Sequence, residues 1–328
     1  MRRSFVLLVA VSVVVASCGG KDRPHVARTP APHRSSVMPA SHPTAPARLA
    51  LVATSRLPFA MQLPAAAVRG SRVFAAGGLD AADASLATLV NVAPGRPRTV
   101  LQLPQAIHDA GAATLGSTLY VFGGGTANGP TDAILAIRNG RARTIGQLPR
   151  PASDLEAVRV GRRIVVIGGY TAATPLRDVL AFTPGTRPRR IATLPHPLRY
   201  AAAAAVGDRV VIAGGTDGVR ARDEVLEVDP GTGAVKRIGR LPARLAHAAG
   251  AALGGTVYVF GGRGDGLASQ RRSILAIDPS TGRIRRAGRL PAALSDLSAV
   301  THDGHVLVIG GRDRSGRVHD RVLEYAPR

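Results

Sequence analysis

The chain has no tryptophan, and only 3% of its residues are aromatic. That disfavours single-stranded nucleic-acid binding of the kind that stacks successive bases on aromatic rings. Cys18 is the only cysteine, so neither an internal disulfide nor a cysteine-based zinc site can be built. Lysine is scarce too: Lys21 and Lys236 stand beside the arginines that supply nearly all of a formal net charge of +22. Those arginines are scattered over the whole length, which reads as a basic surface throughout, not as a polyanion-binding tail. There is no GxxxxGK phosphate loop and no Gly-x-Ser-x-Gly elbow, which removes P-loop nucleotide chemistry and the serine-hydrolase elbow.

What is present begins with an export signal. Met1-Arg2-Arg3 is followed by Phe5 to Ala16, apolar except for Ser12. This stretch is too short for a membrane span and has the shape of a secretory signal. It ends in Val15-Ala16-Ser17-Cys18-Gly19, which resembles the lipobox of bacterial lipoproteins. The resemblance implies cleavage after residue 17 and diacylation of Cys18, and so a lipid anchor in the membrane. Arg2-Arg3-Ser4-Phe5-Val6 also resembles a twin-arginine export motif. Residues 18–47, rich in Pro, Ala, Ser, Thr and His, bury too little apolar surface to fold and read as a disordered tether.

Residues 48–328 are organised by two markers. Gly-Gly pairs begin at Gly77, Gly123, Gly168, Gly214, Gly261 and Gly310, and Leu-Pro pairs at Leu57, Leu103, Leu148, Leu194, Leu241 and Leu290. Both series step by 46, 45, 46, 47 and 49 residues. A period of that size belongs to four-stranded blades arranged radially. In the second repeat a small-residue segment, Asp109 to Thr114, precedes Thr118-Leu-Tyr-Val-Phe122 and its Gly-Gly pair. Ala133 to Ile137 follows, and Asn139-Gly140 turns the chain into Arg141 to Ile145. These are four short strands with a strong hairpin signal between the last two.

Leu119-Tyr-Val-Phe-Gly-Gly124 and Val257-Tyr-Val-Phe-Gly-Gly262 resemble the repeats of the kelch family of β-propellers, over roughly residues 47–328. The chain departs from that pattern at the family's third-strand Tyr, kept as an aromatic only at Phe182 and Tyr325. The fourth-strand Trp is replaced by Val100, Ile145, Ile191, Ile238 and Ala287. The last repeat stops after its third strand, while residues 48–53 sit where a fourth strand would precede Leu57-Pro58. The expected fold is therefore all-β: a six-bladed propeller of four-stranded antiparallel blades, its ring closed by the N-terminal strand.

Aligning the repeats on Leu-Pro brings Leu63, Asp109, Asp154, Tyr200, His247 and Asp296 to one offset. Gln62, His108, Ser153, Arg199, Ala246 and Ser295 lie just before them, and Glu156 and Ser298 break a row of small residues two positions on. Repeated offsets predict rings of side chains around one channel mouth. The ligand-binding candidates are His108, Asp109, Asp154, Glu156, Arg199, Tyr200, His247 and Asp296. Adjacent strand residues point to opposite faces, so His108 and Asp109 are expected to act apart. The same residues could equally serve to hydrogen-bond neighbouring blades.

Together, the lipobox and kelch resemblances and the composition lead to two expected functions. One is a monomeric, extracytoplasmic, lipid-anchored module that binds an envelope protein or glycan, with no cofactor, metal or nucleic acid. The alternative is a carbohydrate-active enzyme of the sugar-acid epimerase or mutarotase type, using Arg199, Glu156 and His247. Kelch-type copper-radical oxidases need a Tyr–Cys crosslink, and the only cysteine is Cys18.

Overall fold

The computed structural model describes residues 14, 16, 46–93 and 95–328. Cys18 and the segments expected to be signal and tether, save those two residues and the last two before 48, lie outside the described residues. Every regular element among the described residues is a β-strand.

The second repeat shows how local sequence becomes structure. Gly111–Leu115, Thr118–Phe122, Ala133–Arg138 and Arg141–Gln147 form one antiparallel sheet in that order. Asn139 and Gly140 both take positive φ, 51° and 70°, as the two-residue turn that matches strand twist requires. Ala65–Arg69 with its three successors, and Glu156–Val160 with its three, repeat the arrangement. The next two repeats share one eight-stranded sheet, because Val235–Leu253 is a single long strand. Its first part pairs with Arg222–Val228 and its second with Thr256–Arg263. The two repeats were expected to be separate four-stranded units, and this continuity joins them.

The remaining sheet is built from both ends of the described chain. Ser298–His302, His305–Ile309 and Arg321–Pro327 pair in sequence, and Leu49–Arg56 adds antiparallel to the last of them, with Leu49 opposite Pro327 and Arg56 opposite Arg321.

Apolar side chains gather between sheets. The cluster containing Phe74 and Val121 joins the first repeat to the second, and the one containing Phe122 and Phe182 joins the second to the third. Corresponding clusters continue through the third to sixth repeats, and one with Met61, Val90, Leu307 and Ile309 joins the sixth to the first. Strands apolar on both sides are thereby covered on both sides. Phe182 packs edge-on to Tyr120 and Phe122, at centroid distances of 5.3 and 5.2 Å. Where kelch repeats carry Trp, Val100 and Ile145 are exposed.

The two sequence markers touch each other. A Cβ on Gly77, Gly123, Gly168, Gly214, Gly261 or Gly310 would lie under 3.0 Å from the carbonyl oxygen of Ile107, Ala152, Leu198, Leu245, Leu294 or Met61, respectively. Each of those carbonyls stands four residues past a Leu-Pro leucine. The N–H of Gly78, Gly124, Gly169, Gly215 and Gly311 donates to that same oxygen at 2.8–2.9 Å. Only glycine combines the positive φ with so close a backbone approach. Gly-Gly and Leu-Pro keep the same beat because each Gly-Gly clasps the segment opening the next repeat.

Candidate functional site

The innermost strands lie side by side: Ala65–Arg69, Gly111–Leu115, Glu156–Val160, Ala202–Val206, the second part of Val235–Leu253, Ser298–His302, and back to Ala65–Arg69. They wall a cavity of about 550 Å³ lined mostly by alanine and glycine. Two residues before five of these strands begin, and at His247 within Val235–Leu253, the backbones bond directly to one another. Asp109 N–H donates to Leu63 O, Asp154 to Asp109, Tyr200 to Asp154, His247 to Tyr200, Asp296 to His247, and Leu63 to Asp296, all at 2.7–3.1 Å. The six bonds close on themselves. All six residues have positive φ, between 52° and 60°.

That geometry explains the residue types. Asp and His tolerate the left-handed region better than most residues, and four of the six are Asp or His. It also overturns the expected separation of His108 from Asp109. Strand alternation fails at a left-handed residue, and His108 Nε2 comes within 4.0 Å of Asp109 Oδ2. Ser85 Oγ bonds His108 Nδ1 at 2.9 Å, and the ring fills the space that a side chain at Gly125 would need.

The polar side chains then interlock. Arg199 pairs with Asp154 and donates to Tyr200 Oη at 3.2 Å; its guanidinium lies 4.0 Å from the Tyr170 ring centroid and 4.6 Å from that of Tyr200. Tyr200 donates to Asp109 at 3.3 Å and stacks on His247 at 3.8 Å. Arg263 is a donor only, so its 2.8 Å contact makes His247 Nε2 an acceptor. His247 is therefore the Nδ1–H tautomer, donating to Asp296 Oδ1 at 2.5 Å, and Ser295 Oγ donates to Asp296 Oδ2 at 2.5 Å.

Environment divides the carboxyls. Burial, reinforced by Asp154 and Asp296, holds Asp109 well above the usual carboxylate range. Burial also raises Asp154, against the opposing pull of Arg199. At Asp296 burial acts upward, but the His247 hydrogen bond, Ser295 and Arg263 together outweigh it, and the carboxyl is held low. Burial lowers His108 and raises Tyr200.

Of the eight candidates, seven belong to this hub. Glu156 does not join the network. It starts an inner strand, half-buried and without a hydrogen-bond or ion-pair partner among the described residues, and lines the alanine-walled cavity. Burial alone pushes it up to about 8. Of the alternative catalytic set, Arg199 and His247 are engaged inside the network, while Glu156 lines a small cavity together with Asp109, Asp154, Tyr200, His247 and Asp296 without bonding to any of them. Among the described residues, no set of three or more His, Cys, Asp and Glu side chains could hold a metal ion.

Three contributors escaped the sequence reading: Tyr170, Arg263 and Arg312. They sit two residues after the first glycine of their repeats, and the backbone there bridges the residue before the hub, as in Ser153–Tyr170 and Ala246–Arg263. Aligning on Gly-Gly as well as Leu-Pro would have exposed them. Arg263 and Arg312, with Leu79, Leu267 and Gln270, line a cavity of about 410 Å³ that reaches Leu63 and Asp296.

No family model matches the chain, and no curated protein matches it. A solved structure titled "Structure of YjhT" is similar over 82% of this chain and 95% of that one, with a TM-score of 0.70 and 16% identity. At that identity the likeness shows the fold alone, and the fold is a β-propeller.

Proposed function

We propose that the chain is a lipid-anchored, extracytoplasmic kelch-type propeller of six blades, sealed by Leu49–Arg56, that binds an envelope protein or glycan at its hub. The observation that carries this reading is the closed ring of six backbone hydrogen bonds. It draws side chains from every repeat to one point, beside a cavity large enough for a sugar unit or a peptide side chain. Recognition is favoured over turnover because the Arg199 and His247 side chains are committed to Asp154, Asp296 and Arg263. The rim still offers partly exposed Arg312, exposed Leu267, and Gln270, whose buried Oε1 has no hydrogen-bond partner.

The test is thermal melting against a panel of envelope glycans and membrane-derived proteins. A ligand that raises the melting temperature of the native chain should lose that effect in Arg312→Ala, while the unliganded melting temperature barely moves. Arg199→Ala should lower stability itself by about 3–5 kcal/mol, since it leaves Asp154 buried without its partner. If no ligand shifts melting, or if Arg312→Ala responds as the native chain does, the hub is structural only.

A further inference from the structure

Away from the hub, the outer edge where the fifth and sixth repeats meet carries positive charge without a counter-charge. A cavity of about 240 Å³ there is lined by Arg48, Leu49, Arg286, Ala287, Gly288, Arg289 and Arg328. Four of those seven are arginines and none is acidic. All four are exposed, and among the described residues none of their side chains is in an ion pair or a side-chain hydrogen bond. Some arginines on other parts of the outer strands do find carboxylates, as in Arg240–Asp223 and Arg56–Asp320. Glu324, the acidic residue of Arg321–Pro327, bonds to His305 instead.

The adjoining strand adds apolar surface. Leu49–Arg56 is the outermost strand of its sheet. Its pairing passes from Leu51 opposite Tyr325 to Ala53 opposite Glu324, leaving Val52 as a bulge. Alternation fails there, and Leu51 and Val52 are both exposed, at 43% and 53%. Two adjacent aliphatic side chains thus stand on an open edge, a few residues past the unpaired Arg48. Apolar residues beside a cluster of arginines without an internal counter-ion, Arg48, Arg286, Arg289 and Arg328, suit the boundary between acyl chains and anionic headgroups. This is also the strand through which the chain preceding residue 46 enters the propeller.

We propose that this edge, centred on Arg48, Leu51, Val52, Arg286, Arg289 and Arg328, lies against an anionic phospholipid bilayer and sets the propeller's orientation on it. The proposal rests on the lipid-anchor reading, with an independent test. Full-length chains carrying Cys18→Ser, and therefore no acyl group, are sedimented with vesicles of phosphatidylcholine alone or mixed with phosphatidylglycerol. Binding should need the anionic lipid and fade with salt. Arg286→Gln with Arg289→Gln should weaken it about thirtyfold. Arg141→Gln with Arg143→Gln removes the same charge from the outer strand of the second repeat and should leave binding unchanged. Equal losses in both variants would mean that net charge alone binds, and would overturn the proposal; so would no loss in either. Inorganic phosphate that shifts melting through Arg286 and Arg289 without any vesicle binding would overturn it as well. The anchor is read separately, from the mass of the amino-terminal peptide of the unmutated protein, so the two readings fail independently.

Discussion

At the scale of single residues, backbone conformation and chemistry compete to explain the same side chains. Asp109, Asp154, His247 and Asp296 occupy left-handed positions in the hub, and that alone favours their types. Yet their side chains also build the Arg199–Tyr200–His247–Asp296 chain of contacts. Glu156 has no such double duty. Its carboxyl is pushed from 4.5 up to about 8, so the folded state keeps a proton that the unfolded state has released between those values. The contribution of Glu156 to stability should therefore be full below about pH 4.5 and fall as pH rises towards 8, by an amount on the order of 1 kcal/mol or more. Glu156→Gln should flatten that slope and raise the melting temperature at pH 8. Parallel pH–melting curves for the two proteins would show that Glu156 is not the source. The pattern of Leu-Pro offsets placed Glu156 among the mouth residues, and it does line a small cavity with Asp154 and His247; that it bonds to none of them depends on which way an inner strand faces, and spacing alone carries no such information.

At the scale of elements, the Gly-Gly clasp distinguishes two costs of adding a methyl group. Gly70 has φ 58° and open space around a hypothetical Cβ, whereas Gly310 has φ 63° and the Met61 carbonyl under 3.0 Å away. Gly70→Ala should cost about 1–2 kcal/mol, the penalty of the left-handed conformation. Gly310→Ala should cost more than about 3 kcal/mol, because the clash adds to that penalty and disturbs the Gly311–Met61 hydrogen bond. Denaturant titration separates them, and equal costs would sink the clasp. The hairpin at Asn139-Gly140 and the small-residue inner strands were legible from sequence, since turn chemistry and crowding act on neighbours along the chain. The joining of two repeats through Val235–Leu253 was not, because a strand that bends from one pairing to the next keeps its local character throughout.

At the scale of the whole molecule, the pairing of Leu49–Arg56 with Arg321–Pro327 brings the two ends of the propeller together. Leu49 also completes the cluster between the fifth and sixth repeats, and Tyr258 donates to Ala47 O at 2.9 Å. Deleting residues 49–56 should bare the edge of Arg321–Pro327, lower the melting temperature and promote self-association. A peptide spanning residues 47–56, added in trans, should reverse both effects by strand addition. Size-exclusion profiles read this directly; a deletion variant that stays monomeric and equally stable would show that the strand is dispensable.

The primary structure alone determined the repeat, its period, the four-strand content of each unit and the offset of the hub, since all of these follow from glycine, proline and apolar spacing along the chain. Which side chains meet was decided only by the fold. Arg263 reaches His247, Tyr170 stacks on Arg199, and Glu156 bonds to none of the hub side chains, because contacts between repeats depend on how the inner strands are turned about the channel, and a left-handed residue just before each inner run resets that turn.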